Sequence, residues 1–290
     1  MEKKKKEYKI SFSEFSNYLQ CPLKWYWSNA MGLPGDLSEE LIFGSTMHKS
    51  IEDIIQVKMY SRKGFWEMVV KNNLKKELER IKDENFLKKF EGMKLHYVFV
   101  RQANEILQTL DVLERFKEYE VLHVEYKLDG FPLIEFEDIK FVFKGYIDLV
   151  LKHKITGRIL LLDWKTSKKA WDIKKKMKEN DDLFAQLALY KHFYAKKENI
   201  SFNDIDVKYY NLPREEPMQQ LPYAGIVNQI YMDFLLEKLN RVCTEIYHLD
   251  PTRLEKARFT KKKNYCHRCN LNNEETCNDY DEYQPMVINL

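Results

Sequence analysis

Two short runs hold the residues best suited to chemistry: Gly145-Tyr146-Ile147-Asp148-Leu149-Val150 and Leu160-Leu161-Leu162-Asp163-Trp164-Lys165-Thr166. Read with the two-residue period of a strand, Asp163 and Lys165 point to one face with Leu161, while Leu160, Leu162 and Trp164 point to the other. Asp148 sits in a similarly apolar strand. Charged residues in strands of this buried type carry a desolvation cost that calls for a functional explanation. Two carboxylates brought to one sheet edge, with a lysine beside them, suit a hard divalent cation and phosphate chemistry.

Further candidates lie on either side. His48 is one helical turn from Ile51 and Glu52, and reads either as a ligand or as a histidine satisfied by nearby backbone. Glu125 lies among apolar neighbours in a strand-like run. Gln186 and Tyr190 are four apart and share a helix face. Tyr190 reads either as core or, with Gln186, as a contact to a nucleic-acid strand at the sheet edge. Near the C-terminus stand Cys266, Cys269 and Cys277; C-x-x-C spacing turns two sulfurs toward one metal centre. Three cysteines leave a four-ligand site one short, and Cys21, beside the break at Pro22, is the natural fourth. The alternatives are a zinc site with His267 as a ligand, or no metal. Cys243 reads as a small core residue near Leu239 and Ile246.

The elements that must position these groups are legible in outline. Ser11-Phe12-Ser13-Glu14 fits a capping box opening a helix to about Gln20, and Pro22 starts a second short helix carrying Trp25, Tyr26 and Trp27. A helix beginning around Ser45 buries Met47, Ile51, Ile54, Ile55 and Met59. From 64 to 120 the chain reads as two or three helices, with Met93, Val100, Leu107, Leu110 and Leu113 packing inward, and no chemistry. Val121, Val124, Tyr126 and Leu128 form a strand expected to end at the turn dipeptide Asp129-Gly130. After a further strand come the two acidic ones, with Lys152 to Arg158 as their hairpin link. A helix from Asp181 to Lys196 follows, carrying Leu183, Leu187, Tyr190 and Tyr194. Next are a strand from Val207 to Leu212 and a helix from about Ala224 to His248.

Composition sets the bounds. With 290 residues, 44% hydrophobic and 32% charged, the chain can bury a sizeable core and is not of the disordered class. A net charge of +3 says little by itself. Its distribution says more: between Lys165 and Lys178 seven lysines, among them Lys168 and Lys169, face one acid, Asp172. A second cluster, Lys261 to Lys263 with Arg268, has no acid between Thr260 and Asn270. Both runs flank candidate chemistry and suit phosphate contact. No apolar run approaches the ~20 residues of a membrane-spanning helix, and the lysines at 3 to 6 precede no signal-peptide core. The expectation is an intracellular, reducing setting in which the five cysteines are not a disulfide framework.

Taken in order, His48, Gly145-x-x-Asp148, Asp163-x-Lys165 and Gln186-x-x-x-Tyr190 resemble the RecB-like branch of the PD-(D/E)XK nuclease superfamily. The opening from Ser11 to Trp27 is similar to the start of those domains. One N-terminal and three C-terminal cysteines resemble the iron–sulfur variants, namely AddB-type nuclease domains and CRISPR adaptation nucleases. The resemblance implies an α/β fold with a restriction-endonuclease-like core, a central mixed β-sheet flanked by helices. It implies a single nuclease domain over 1–290, with a helical insertion at 62–119, a catalytic sheet core at 120–215 and an iron–sulfur lobe from 11–30 with 250–290. Asp148, Asp163, the Trp164 carbonyl and His48 would hold magnesium or manganese, and Lys165 would orient the attacking water. Glu125 would be a supporting partner or an extra carboxylate. Gln186, Tyr190, Lys168 and Lys169 would engage DNA, and Cys21, Cys266, Cys269 and Cys277 a structural 4Fe-4S cluster, with zinc as the alternative. The implied activity is a DNA exonuclease acting on single strands or ends in repair, recombination or phage DNA processing, alongside a helicase or recombination partner. The rivals are a CRISPR spacer-acquisition nuclease working with integration proteins, and a non-catalytic DNA-binding scaffold.

Overall fold

The computed structural model describes residues 5–33, 35, 37–58, 63–172, 184–221 and 228–249, with Phe259, Lys261, Lys262, Cys266, Cys269, Leu271 and Cys277. Met59, the lysines at 174–178, Asp181, Leu183, Ala224, Lys263, His267 and Arg268 lie outside these residues, as does the side chain of Leu113. In chain order the elements are β1 (Lys6–Ser11), α1 (Phe12–Gln20), α2 (Pro22–Trp25), a π-helical turn (Tyr26–Ala30) and α3 (Glu39–Gln56). Then come α4 (Lys63–Glu79), α5 (Glu84–Gly92), α6 (Leu95–Leu110), α7 (Val112–Arg115), β2 (Tyr119–Glu135), β3 (Ile139–His153) and β4 (Ile159–Ser167). The last are α8 (Ala185–Glu198), β5 (Ile205–Pro213), β6 (Gln219–Leu221) and α9 (Gln229–Leu249).

These fall into two compact units, one of 1–36, 129–145 and 228–290, the other of 37–128 and 146–227. In the first, β1 pairs in parallel with the start of β3, from Lys6 opposite Ile139 to Ser11 opposite Lys144. The capping box forms: Ser11 Oγ accepts from the Glu14 N–H at 3.2 Å, and Glu14 Oε2 accepts from the Ser11 N–H at 2.7 Å. Cys21 is extended, with φ −161°, and Pro22 opens α2. Phe15, Tyr18, Leu23 and Trp25 are buried, and Trp25 packs on Phe259 with centroids 5.7 Å apart. Cys243, on α9, is a fully buried core residue beside Leu239 and Ile246.

The second unit carries a mixed sheet. β3 and β4 are antiparallel, β4 and β5 parallel, β5 and β6 antiparallel. The hairpin between β3 and β4 closes with the His153 N–H donating to Arg158 O at 2.8 Å, and Gly157 takes φ +71°. On one sheet face Leu149, Leu151, Leu160, Leu162 and Trp164 join a core with α3 and α6. On the other, α8 packs on β4 and β5 with Leu187, Tyr190, Phe193 and Tyr194 buried. This is the α/β, restriction-endonuclease-like arrangement of a mixed sheet flanked by helices.

Several expectations change. The run from 64 to 120 forms four helices, α4 to α7, and β3 follows β2 with no further strand between them. α3 starts at Glu39, well before Ser45, because Ser38 is the cap: its Oγ accepts from the Leu41 N–H at 3.1 Å, and Glu39 and Glu40 sit in the positive first turn. Met93 is 52% exposed, since it caps α5 instead of lying on the buried stripe, whereas Val100, Leu107 and Leu110 are buried. Asp129-Gly130 does not end a strand; β2 runs through it to Glu135. Gly130 at φ +79° and Glu125 at φ +52° absorb bends inside the strand, the conformation that a turn would otherwise use.

Candidate active site

The β3–β4 pairing runs from Lys152–Ile159 to Leu149–Leu162 and stops there. Past that point the Trp164 N–H donates instead to Asp148 Oδ2 at 2.6 Å. A short carboxylate thus completes the backbone donor that the diverging strands leave unmet. A strand residue presents its N–H and C=O to the same side, so the Trp164 carbonyl lies on the Asp148 edge. Asp148 Oδ1 stands 3.4 Å from Nδ1 of His48, which α3 supplies. Glu125, from β2, completes a set in which one ligand atom each of His48, Glu125 and Asp148 lies within 4.8 Å of the others. His48, Glu125 and Asp148 line a cavity of about 510 Å³ with Ser45, Lys49 and Thr166.

Burial and neighbouring charges shift the acids and the histidine of this cluster. Burial alone would lower the His48 pKa, but the charges of Asp148 and Asp163 prevail and it stands at about 8. Burial, then Asp148 and Glu52, push Glu125 up to about 7. Burial raises Asp163, Lys165 pulls it back and Asp148 pushes it up again, to about 6. Burial, with the nearby Asp148 charge, favours the protonated carboxyls of Glu125 and Asp163. Asp163 is 2% exposed, and its Oδ1 has no aligned hydrogen-bond donor although Lys165 Nζ lies 2.7 Å away. The two form a close ion pair.

Lys165 is held from the far side. Its ammonium donates to Gln186 Oε1 at 2.8 Å, and Gln186 Nε2 donates to the Tyr190 hydroxyl at 2.9 Å. Tyr190 is 6% exposed, and burial pushes its hydroxyl pKa upward. Gln186 thus bridges Lys165 and Tyr190, and the Tyr190 hydroxyl also meets the main chain of Tyr146. Lys168 and Lys169 are exposed beyond β4, with Lys168 Nζ 3.7 Å from Glu215. Asn211 was not singled out from the sequence. It is fully buried, its Nδ2 donates to Lys165 O at 3.1 Å and Ser167 Oγ at 2.8 Å, and its Oδ1 accepts the Trp171 N–H at 3.2 Å. An amide inside the apolar strand Tyr209-Tyr210-Asn211-Leu212 was the available signal.

The cysteines form a separate group in the other unit. Cys21 and Cys277 are buried, and Cys266 and Cys269 half-buried. The Lys262 N–H approaches Cys21 Sγ at 3.5 Å, and the Cys269 N–H donates to Cys266 O at 3.2 Å. Burial raises the Cys277 thiol pKa; Lys261 opposes this, and the charges of Cys269, Cys21 and Cys266 add to it, so all three are near. A larger cavity, about 910 Å³, is lined by Leu74, Leu78, Phe90 and Val100 within the helical region and holds none of these groups.

The central strands β3 and β4 of a mixed sheet thus bring two aspartates and a lysine close together. Residues 9–274 match the model of the PD-(D/E)XK nuclease superfamily, and the chain belongs to that superfamily. It is a nuclease. Its fold is similar to the crystal structure of a protein from Eubacterium rectale described as a candidate exonuclease, 12% identical, with TM-score 0.50 and 96% of this chain and 90% of that one covered. No curated protein matches the chain.

Proposed function

We propose that the chain is a divalent-metal-dependent deoxyribonuclease of the RecB-like branch, acting as one domain and trimming single-stranded DNA or DNA ends. The observation that carries this reading is the convergence of His48, Glu125 and Asp148 within 4.8 Å beside the Asp163–Lys165 pair. The donor set fits magnesium or manganese: carboxylate oxygens dominate, and Asp163 keeps a buried oxygen with no aligned donor. His48, Glu125, Asp148, Asp163 and the Trp164 carbonyl would hold the ion. When bound, it lowers the pKa of a water and neutralises charge building on the phosphate. Lys165 orients the attacking water and stabilises the charged transition state. Gln186 and Tyr190 keep that ammonium in place, and Asn211 keeps its main chain in place. Lys168 and Lys169 follow the strand backbone, as exposed ammonium groups do on polyanions.

Cys21, Cys266, Cys269 and Cys277 would hold a structural 4Fe-4S cluster. A single zinc at about 2.3 Å from each sulfur draws its ligands into mutual contact. Bound iron or bound zinc in the purified protein distinguishes the two. Joining Cys21 to the loop at 266–277 would remove unfolded-state freedom as a long disulfide loop does.

The test is digestion of labelled single- and double-stranded DNA, linear and circular, with manganese, magnesium or EDTA, beside Asp163→Ala and Lys165→Ala. Mononucleotides released from linear single strands with either metal, and lost in both variants, are expected. Metal-dependent cleavage that survives both substitutions refutes the site, and cleavage of circles refutes the exonuclease.

A further inference from the structure

Gln186 is bonded to Lys165 and to Tyr190, and Gln186 and Tyr190 are both less exposed than another aromatic residue near Asp148. From Ile139 to Leu151 every residue of β3 is buried or half-buried except Tyr146, which is 50% exposed. Tyr146 precedes Asp148 by two residues, which places both on one face of the strand about 6.7 Å apart. That is the reach of one nucleotide from its phosphate to its base. The root of the side chain is anchored, because the Tyr146 main chain bonds the hydroxyl of Tyr190 on α8. An aromatic ring with a fixed backbone and a free face loses little freedom when it takes up a ligand. Leaving it in water forgoes the burial that its strand neighbours obtain.

We propose that Tyr146 is a stacking platform for the base next to the scissile phosphate, and that it biases the nuclease toward unpaired strands. A base can lie flat on a protein ring only after it has left its own stack, so a single strand gains the contact and an intact duplex does not. The proposal rests on the nuclease reading above.

The experiment compares wild type with Tyr146→Phe, Tyr146→Leu and Tyr146→Ala. Fluorescence anisotropy in EDTA measures binding of labelled oligothymidylate and of a blunt duplex without cleavage, and manganese kinetics on the single strand follow. Tyr146→Ala and Tyr146→Leu should weaken single-strand binding at least about fivefold, and Tyr146→Phe should stay within about twofold of wild type. Duplex binding should be unchanged, and KM should rise while kcat is retained. The leucine variant keeps apolar bulk, so its agreement with alanine separates stacking from a folding defect. Wild-type affinity in the leucine or alanine variant overturns the platform, as does an equal loss on duplex or a phenylalanine variant as weak as alanine. A wild-type chain that cleaves no DNA with manganese counts against the nuclease reading instead, and the EDTA measurements still decide the platform.

Discussion

Lys165 is restrained by an acid, an amide and a ring: Asp163 at 2.7 Å, Gln186 at 2.8 Å and the face of Tyr209 with its centroid 5.4 Å away. A flexible ammonium held this way needs no reorganisation when charge develops beside it. Lys165→Ala should lower kcat at least about a hundredfold while DNA binding in EDTA persists. Gln186→Ala leaves the charge but frees its position, so a loss of about tenfold in kcat with KM little changed is expected. The acids give a second prediction. Glu125 titrates near 7 against an ordinary value of 4.5, and a group whose folded-state pKa is raised contributes stability below its unfolded value and loses it as pH rises through the folded one. The Tm advantage of metal-free wild type over Glu125→Gln should therefore shrink between about pH 4.5 and 7. Manganese, which binds the ionised carboxylate, should restore it at pH 7. A Tm difference flat across that window counts against the assignment.

At the level of elements, the site depends on how closely α3 approaches β4. A Cβ added at Gly44 would sit 3.0 Å from Thr166 Oγ1, so this glycine sets the spacing that aims His48 at Asp148. Gly44→Val should cost about 1–3 kcal/mol through overpacking, and should lower cleavage more than Ile→Val changes deeper in α3 do. Urea denaturation and single-strand digestion measure the two effects. Ser11→Ala, which removes the reciprocal cap of α1, should cost about 1 kcal/mol in the same denaturation assay. The cap of α1 was readable because both its partners lie within four residues of sequence. Asn211 was not, because its partners Lys165, Ser167 and Trp171 lie 40 to 46 residues away in sequence and meet it only in the fold.

For the molecule as a whole, the proposed four-cysteine cluster makes a prediction independent of nuclease chemistry. Protein purified without oxygen should carry iron and a broad visible absorbance, and Cys21→Ala or Cys277→Ala should lose both together with solubility. Zinc in place of iron, or a Cys21→Ala variant with full fold and activity, would exclude the cluster as a structural clasp. Thiols buried like Cys277, whose pKa burial and neighbouring sulfurs push upward, bind metal only on losing their protons. Metal retention should accordingly weaken on acidification.

Local chemistry was legible from residue order. The alternation around Asp163 and Lys165, the helical spacing of Gln186 and Tyr190 and the C-x-x-C pair all depend on neighbours within a few positions, where strand and helix periods act directly. The resemblance assembled from those motifs led to the superfamily that residues 9–274 match. What required three dimensions was the meaning of the contacts. Only the divergence of β3 from β4 shows Asp148 serving the Trp164 N–H, and only packing turns Gln186 and Tyr190 inward to Lys165. The same holds for Glu125, brought to His48 and Asp148 by a bend in β2 with φ +52°. Periodicity specifies which face a side chain takes, whereas the balance of desolvation, charge and pairing that assigns it a partner arises between segments far apart in the chain.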